Sequence, residues 1–113
     1  MPKDYKALAA DVDARAVELF KAAPGPMRAF RGLMDAATTD GALNPATKEL
    51  MAVAIAIATH CEGCIVFHVR AAAKHGVNRD QLADTIGVAI EMGGGPAAVY
   101  GADALAAFDQ LAG

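Results

Sequence analysis

The chain has 113 residues, 55% of them hydrophobic, with 13 acids against ten lysines and arginines for a formal net charge of −3. That length makes one domain with one modest core, and the scattered basic residues of an acidic chain exclude the clustered cationic footprint that nucleic acid requires. The longest apolar run, Leu50 to Ala58, falls far short of the roughly 20 residues that span a bilayer, so no membrane partner is expected.

Alanine supplies 28 of the 113 residues, which favours helix nearly throughout. A first helix is predicted from about Lys3 to Ala23, with Leu8, Val12, Val17 and Phe20 near helical spacing and Pro24-Gly25-Pro26 ending it. A second spans Met27 to about Ala37, where Phe30, Leu33 and Met34 form an apolar stripe; Thr39-Asp40-Gly41 marks the turn after it. Asn44-Pro45 is a strong helix start, Asn as N-cap and Pro in the first helical position. The segment that follows, Met51 to Ala58, alternates large residues with alanine. The period of two resembles a strand, but both faces are apolar, and the cap and alanine content decide for a buried central helix.

Cys61-Glu62-Gly63-Cys64 opens a fourth helix that runs through His68 to Lys74 or His75 and ends at Gly76. Asn78 and Gln81 make a capping box for a fifth, from Arg79 to about Met92. Gly93-Gly94-Gly95 breaks it, and Pro96 starts a sixth to about Leu111. The glycine run lacks a preceding strand and a P-loop lysine, so it reads as a tight turn rather than a phosphate cradle. The expectation is a single all-α domain of about six helices, without a sequence repeat.

The chemistry concentrates in one stretch: Glu49, eleven residues, Cys61, two residues, Cys64, three residues, His68. Cys61 and Cys64 are the only cysteines. On a helix, Cys64 and His68 are one turn apart and share a face with Cys61. A CxxC at a helix N-terminus meets unpaired N–H groups and the positive end of the macrodipole, both of which favour thiolate. Position in the helix favours Cys61 as the reactive thiol; the imidazole one turn away favours Cys64, which it can deprotonate. Glu49 opens an otherwise apolar helix and, with antiparallel packing, lies near His68, where a carboxylate fixes the imidazole tautomer.

Two plainer readings stand beside this one. The cysteines can be small buried hydrophobes, with His68 a satisfied core residue. Alternatively Cys61, Cys64 and His68 are zinc ligands, with His60, His75 or Glu49 as a fourth, although structural zinc sites usually draw on a second, distant ligand pair. A thioredoxin fold is excluded because no βαβ pattern surrounds the motif. No basic-then-apolar leader opens the chain, so a cytoplasmic protein is expected, and in that reducing compartment a CxxC points to catalysis or metal rather than a staple. Glu62, inside the motif, reads as solvated and mildly opposed to thiolate formation. Phe67 is placed to line a substrate entrance. The four methionines at 27, 34, 51 and 92 read as core or interface filler, and Tyr5, Tyr100, Phe20, Phe30 and Phe108 as packing residues.

The motif Glu49, Cys61, Cys64 and His68 resembles that of the AhpD-like alkylhydroperoxidases within the carboxymuconolactone decarboxylase superfamily. The resemblance runs from about Leu43 to Phe108 and includes the Gly93-Gly94-Gly95-Pro96 turn. It implies an all-α fold, a homo-oligomer that is a trimer or a hexamer, and cofactor-free, metal-free reduction of hydroperoxides by a dithiol/disulfide cycle. Carried over by position, Cys64 attacks the peroxide, Cys61 resolves, and Glu49 with His68 relays protons; an external dithiol reductant is the implied partner. The cysteine pair speaks against the decarboxylase branch. One departure is visible: a histidine that precedes the second cysteine in such proteins is Gly63 here, while His60 precedes the first. A general disulfide oxidoreductase and a non-catalytic helical oligomer are the alternatives. Self-association also follows from composition, since a mean hydropathy of +0.29 exceeds what a small monomer can cover. The Ala71–Ala73 and Ala104–Ala107 stretches suit close contacts between helices, and the thiol site is expected near a subunit boundary.

Overall fold

Six α-helices and, among the described residues, no strand make up the computed structural model, which describes residues 3–112. They are α1 (Tyr5–Ala22), α2 (Pro24–Thr38), α3 (Pro45–Ala58), α4 (Glu62–Lys74), α5 (Arg79–Gly93) and α6 (Gly95–Leu111). The ambiguous Met51–Ala58 segment is helical: Asn44 caps α3 by accepting the Thr47 N–H at 2.8 Å, and Pro45 occupies the first helical position. The Asn78–Gln81 capping box starts α5 with both reciprocal bonds made.

Two boundaries differ from the sequence expectation, for one reason. Pro24-Gly25-Pro26 does not separate the first two helices but forms the first turn of α2, leaving Ala23 as the whole break. N–H groups in a first turn have no partner, so proline there forfeits nothing. Likewise only Gly94 interrupts α5 and α6; its φ of 71° and ψ of −151° lie where only glycine is comfortable, while Gly93 ends one helix and Gly95 begins the next.

Helices α3 to α6 enclose the core, which centres on Val53, Ile57, Ile65, Val69 and Leu82 with Ala72, Ala104 and Ala107. Small residues let the last two helices approach closely: a β-carbon at Gly101 of α6 would lie 2.6 Å from the Ile86 side chain of α5. Helix α1 lies against α4 and α6. It is strapped there by the Tyr5 hydroxyl, which donates to Asp103 at 2.6 Å, and by the Tyr5 N–H, which donates to Gln110 at 2.7 Å. Burial, and then the bond to Asp103, push the Tyr5 phenol well above its ordinary pKa. The strap matters for the site because it carries Lys3 to the start of α4.

Helix α2 is different. It packs sparsely on α1 and α3 and has no buried residue. Phe30, expected to pack, is 58% exposed in the single chain, and Leu33 is 65% exposed. The central helix is also apolar beyond what one chain covers, with Met51 and Ile55 exposed opposite its buried Val53 and Ile57. Met92 is exposed as well.

Candidate active site

Helix α3 ends in a Schellman arrangement: the His60 N–H bonds to the Ile57 carbonyl at 3.2 Å and the Cys61 N–H to the Ala56 carbonyl at 3.0 Å. That puts His60 at φ 58°, in the left-handed region where glycine is the usual tenant. Cys61 therefore has two duties. Its N–H closes α3, and its sulfur caps α4 by accepting the Cys64 N–H at 3.2 Å. It is the N-cap, with extended φ and ψ, rather than a residue of the helix proper. Cys61 and Cys64 are joined as a disulfide, their Cα atoms 5.2 Å apart. Cys64 is exposed and Cys61 half-buried.

One turn further along α4, its antiparallel run against α3 brings Glu49 to His68. The imidazole Nδ1 lies 2.7 Å from a Glu49 oxygen, and both side chains are largely shielded from water. When Glu49 is ionised it can only accept, and the imidazole then carries a proton on Nδ1 and leaves Nε2 free. Phe67 stands edge-on to the His68 ring, centroids 5.0 Å apart. His68 follows Cys64 by one turn of α4, a spacing that sets their β-carbons about 5–6 Å apart.

An open cleft of about 280 Å³ exposes the Glu49–His68 pair, with Arg31, Met34 and Asp35 of α2 facing Glu49, Phe67 and His68. Neither cysteine lines it. The α2 residues carried no signal in the sequence, because their only link to the motif is the packing of α2 over α3. On its other side α4 is held to α1 by Arg70, whose guanidinium donates twice to Asp13 at 3.0 Å and keeps that carboxyl below the usual aspartate range.

One sequence expectation changes here. Glu62 is not simply solvated: it pairs with the Lys3 ammonium, which the α1 strap delivers. Its charge is thereby partly offset beside the thiols. Position 63 faces α1, where a β-carbon would lie in ordinary contact with the Val12 side chain at 3.6 Å. Among the described residues no three His, Cys, Asp or Glu side chains are grouped so as to hold a metal ion. No helix among them is long and apolar enough to cross a membrane.

The sequence model of the carboxymuconolactone decarboxylase family matches residues 24–107, which takes in α2 to α5, most of α6 and every residue of the motif. The chain belongs to that family. Its fold superposes on the crystal structure of the apo form of a carboxymuconolactone decarboxylase family protein from Legionella pneumophila with a TM-score of 0.93, at 40% identity over 96% of this chain and 97% of the other. An uncharacterised protein of Cupriavidus necator is 45% identical over 111 residues, 98% of both chains. An uncharacterised protein of the cox locus of Paracoccus denitrificans is 41% identical over 85 residues, 75% of this chain and 77% of its own. Within the family, the Cys61–Cys64 pair fits the AhpD-like members.

Proposed function

We propose that this family member is an enzyme of the AhpD-like type, a cofactor-free thiol peroxidase that reduces hydroperoxides through Cys61 and Cys64. The observation that carries the reading is the joint presence of a closed Cys61–Cys64 disulfide at the start of α4 and, one turn on, an imidazole held by a buried carboxylate. In the reduced form the Cys64 thiolate attacks the peroxide: an S–O bond forms, the O–O bond breaks, and the leaving alkoxide takes a proton to become the alcohol. His68, oriented by Glu49, is the residue placed to accept the thiol proton and return it. Cys61 then attacks the Cys64 sulfenic acid, forming the disulfide and releasing water. An external dithiol restores both thiols by exchange.

Access supports the division of labour. Cys64 is the more exposed residue of the pair, and the advantage Cys61 draws from capping the helix is on the order of 0.3–1 kcal/mol at an exposed end, less than a base one turn away supplies. A titration of free thiols tests the reading: one equivalent of hydroperoxide added to the reduced protein is expected to remove both thiols rapidly. Thiols that survive the addition contradict it. A second reading, exchange with the disulfide of another protein or cofactor, draws support from the exposed Cys64 and from Gly63 standing where a second histidine would serve a peroxidase.

The same reading includes a homo-oligomer, trimer or hexamer. Phe30 and Leu33 of α2, Ile55 of α3 at 61% exposure and Met92 of α5 at 79% leave more apolar surface open than small monomers usually show. Light scattering at micromolar concentration is expected to return a multiple of 11.5 kDa, and Ile55→Glu to lower it. A monomer of the unaltered chain contradicts the assembly.

A further inference from the structure

His60 is the only non-glycine residue at positive φ among the described residues. It stands immediately before Cys61, at a helix end where glycine would be free of strain. A histidine persists at such a position when its surroundings over-determine it, and here they do: the imidazole lies flat on the Tyr100 ring of α6, centroids 4.6 Å apart and planes within 2°. The imidazole is otherwise exposed, and Tyr100 is half-buried against the core. The α3–α4 turn is thus held by the two Schellman bonds, by the Thr59 hydroxyl donating to the Ile55 carbonyl at 2.9 Å, and by the stack, which alone of these ties it to α6.

We propose that the His60–Tyr100 stack is a latch that pre-organises Cys61 for disulfide closure, making both residues positioning residues for the redox pair; the inference rests on the redox reading of Cys61 and Cys64. The mechanism is entropic. Closing a disulfide from two thiols requires the Cys61 backbone to stay where its sulfur meets that of Cys64. A turn already pinned to α6 in the dithiol form has little freedom left to lose, which raises the effective concentration of one thiol at the other. Without the ring contact, only the local bonds of the helix end offset the strain of the left-handed backbone at residue 60, and the turn loosens in the open form. Aromatic contacts of this kind, in energy terms, shift an equilibrium by roughly threefold to tenfold.

The test is the equilibrium of the full-length protein with dithiothreitol redox buffers, read as free thiols after acid quenching. Dithiothreitol gives two electrons and two protons to the disulfide and closes to its own cyclic disulfide, while Cys61 and Cys64 become thiols. His60→Ala keeps the β-carbon that the backbone resists and removes the ring; Tyr100→Leu removes the other half of the stack. Each is expected to make the disulfide about three- to tenfold easier to open, roughly 15–30 mV for this two-electron couple. Tyr100→Phe keeps the stack and is expected to stay within twofold of the unaltered protein. Because His60 is exposed, His60→Ala folds without disturbing the core and decides the matter even where Tyr100→Leu does not fold. A His60→Ala equilibrium within twofold of the unaltered value overturns the latch, as does a Tyr100→Phe protein that opens as easily as His60→Ala. An unaltered disulfide that stays closed across the whole buffer series overturns the redox reading itself, and the latch with it.

Discussion

Cys64→Ser is expected to lower hydroperoxide turnover by roughly three orders of magnitude or more, down to the rate of the buffer and reductant alone. The size of the effect follows from the chemistry: a serine hydroxyl does not ionise near neutral pH, and loss of the attacking group removes the step that the rest of the site serves. Cys61→Ser is expected to differ in kind. Its Cys64 thiolate can still cleave one O–O bond, so a single turnover survives, but the sulfenic acid has no intramolecular partner and multiple turnover depends on an external thiol. Single-turnover stopped-flow traces beside steady-state rates separate the two variants. Cys64→Ser with full steady-state activity, or Cys61→Ser without a first turnover, would reverse the assignment of the two sulfurs.

The second large effect is at His68, where one substitution is expected to damage both rate and fold. Removing the imidazole takes away the proposed base, an expected loss of about 10²- to 10⁴-fold. It also strands the Glu49 carboxylate in a site that is only 5% exposed. Breaking a buried pair by deleting one partner typically costs about 3–5 kcal/mol; the cleft beside Glu49 admits water, so His68→Ala is placed near the lower figure. Glu49→Gln separates the two consequences. It keeps the size and a hydrogen-bonding oxygen toward Nδ1 while removing the charge, so stability should fall by less than about 1.5 kcal/mol and the rate should still drop. Urea unfolding gives the first quantity and peroxide kinetics the second. His68→Ala with unaltered rate would mean that the Glu49–His68 pair is structural.

The helices were legible because each start and stop is chemically local. Asn44-Pro45 and Asn78 with Gln81 carry their caps within four residues, and these boundaries stand as the spacing implied. Pro24-Gly25-Pro26 misleads because the same residues that break a helix interior are harmless in a first turn. The Glu49–His68 contact was legible too, since a short turn between two apolar helices forces them antiparallel. What sequence could not disclose are contacts between distant elements. The Lys3–Glu62 pair depends on the Tyr5 strap to α6, and the His60–Tyr100 stack joins residues forty positions apart with no periodicity to connect them. The exposed face of α2 reads in sequence as an ordinary core stripe, and only the packing shows that one chain leaves Phe30 and Leu33 uncovered.

The central claim is that hydroperoxide, rather than another disulfide, is what the Cys61–Cys64 pair is built to meet. The reduced protein, mixed anaerobically in a stopped-flow instrument with equal concentrations of an alkyl hydroperoxide or of a small exposed disulfide, gives the answer when thiol loss and alcohol formation are followed together. Faster thiol loss with the hydroperoxide is expected, with one alcohol formed for every two thiols consumed and loss of that reaction in Cys64→Ser. Faster thiol loss with the disulfide, and no stoichiometric alcohol from the hydroperoxide, would contradict it.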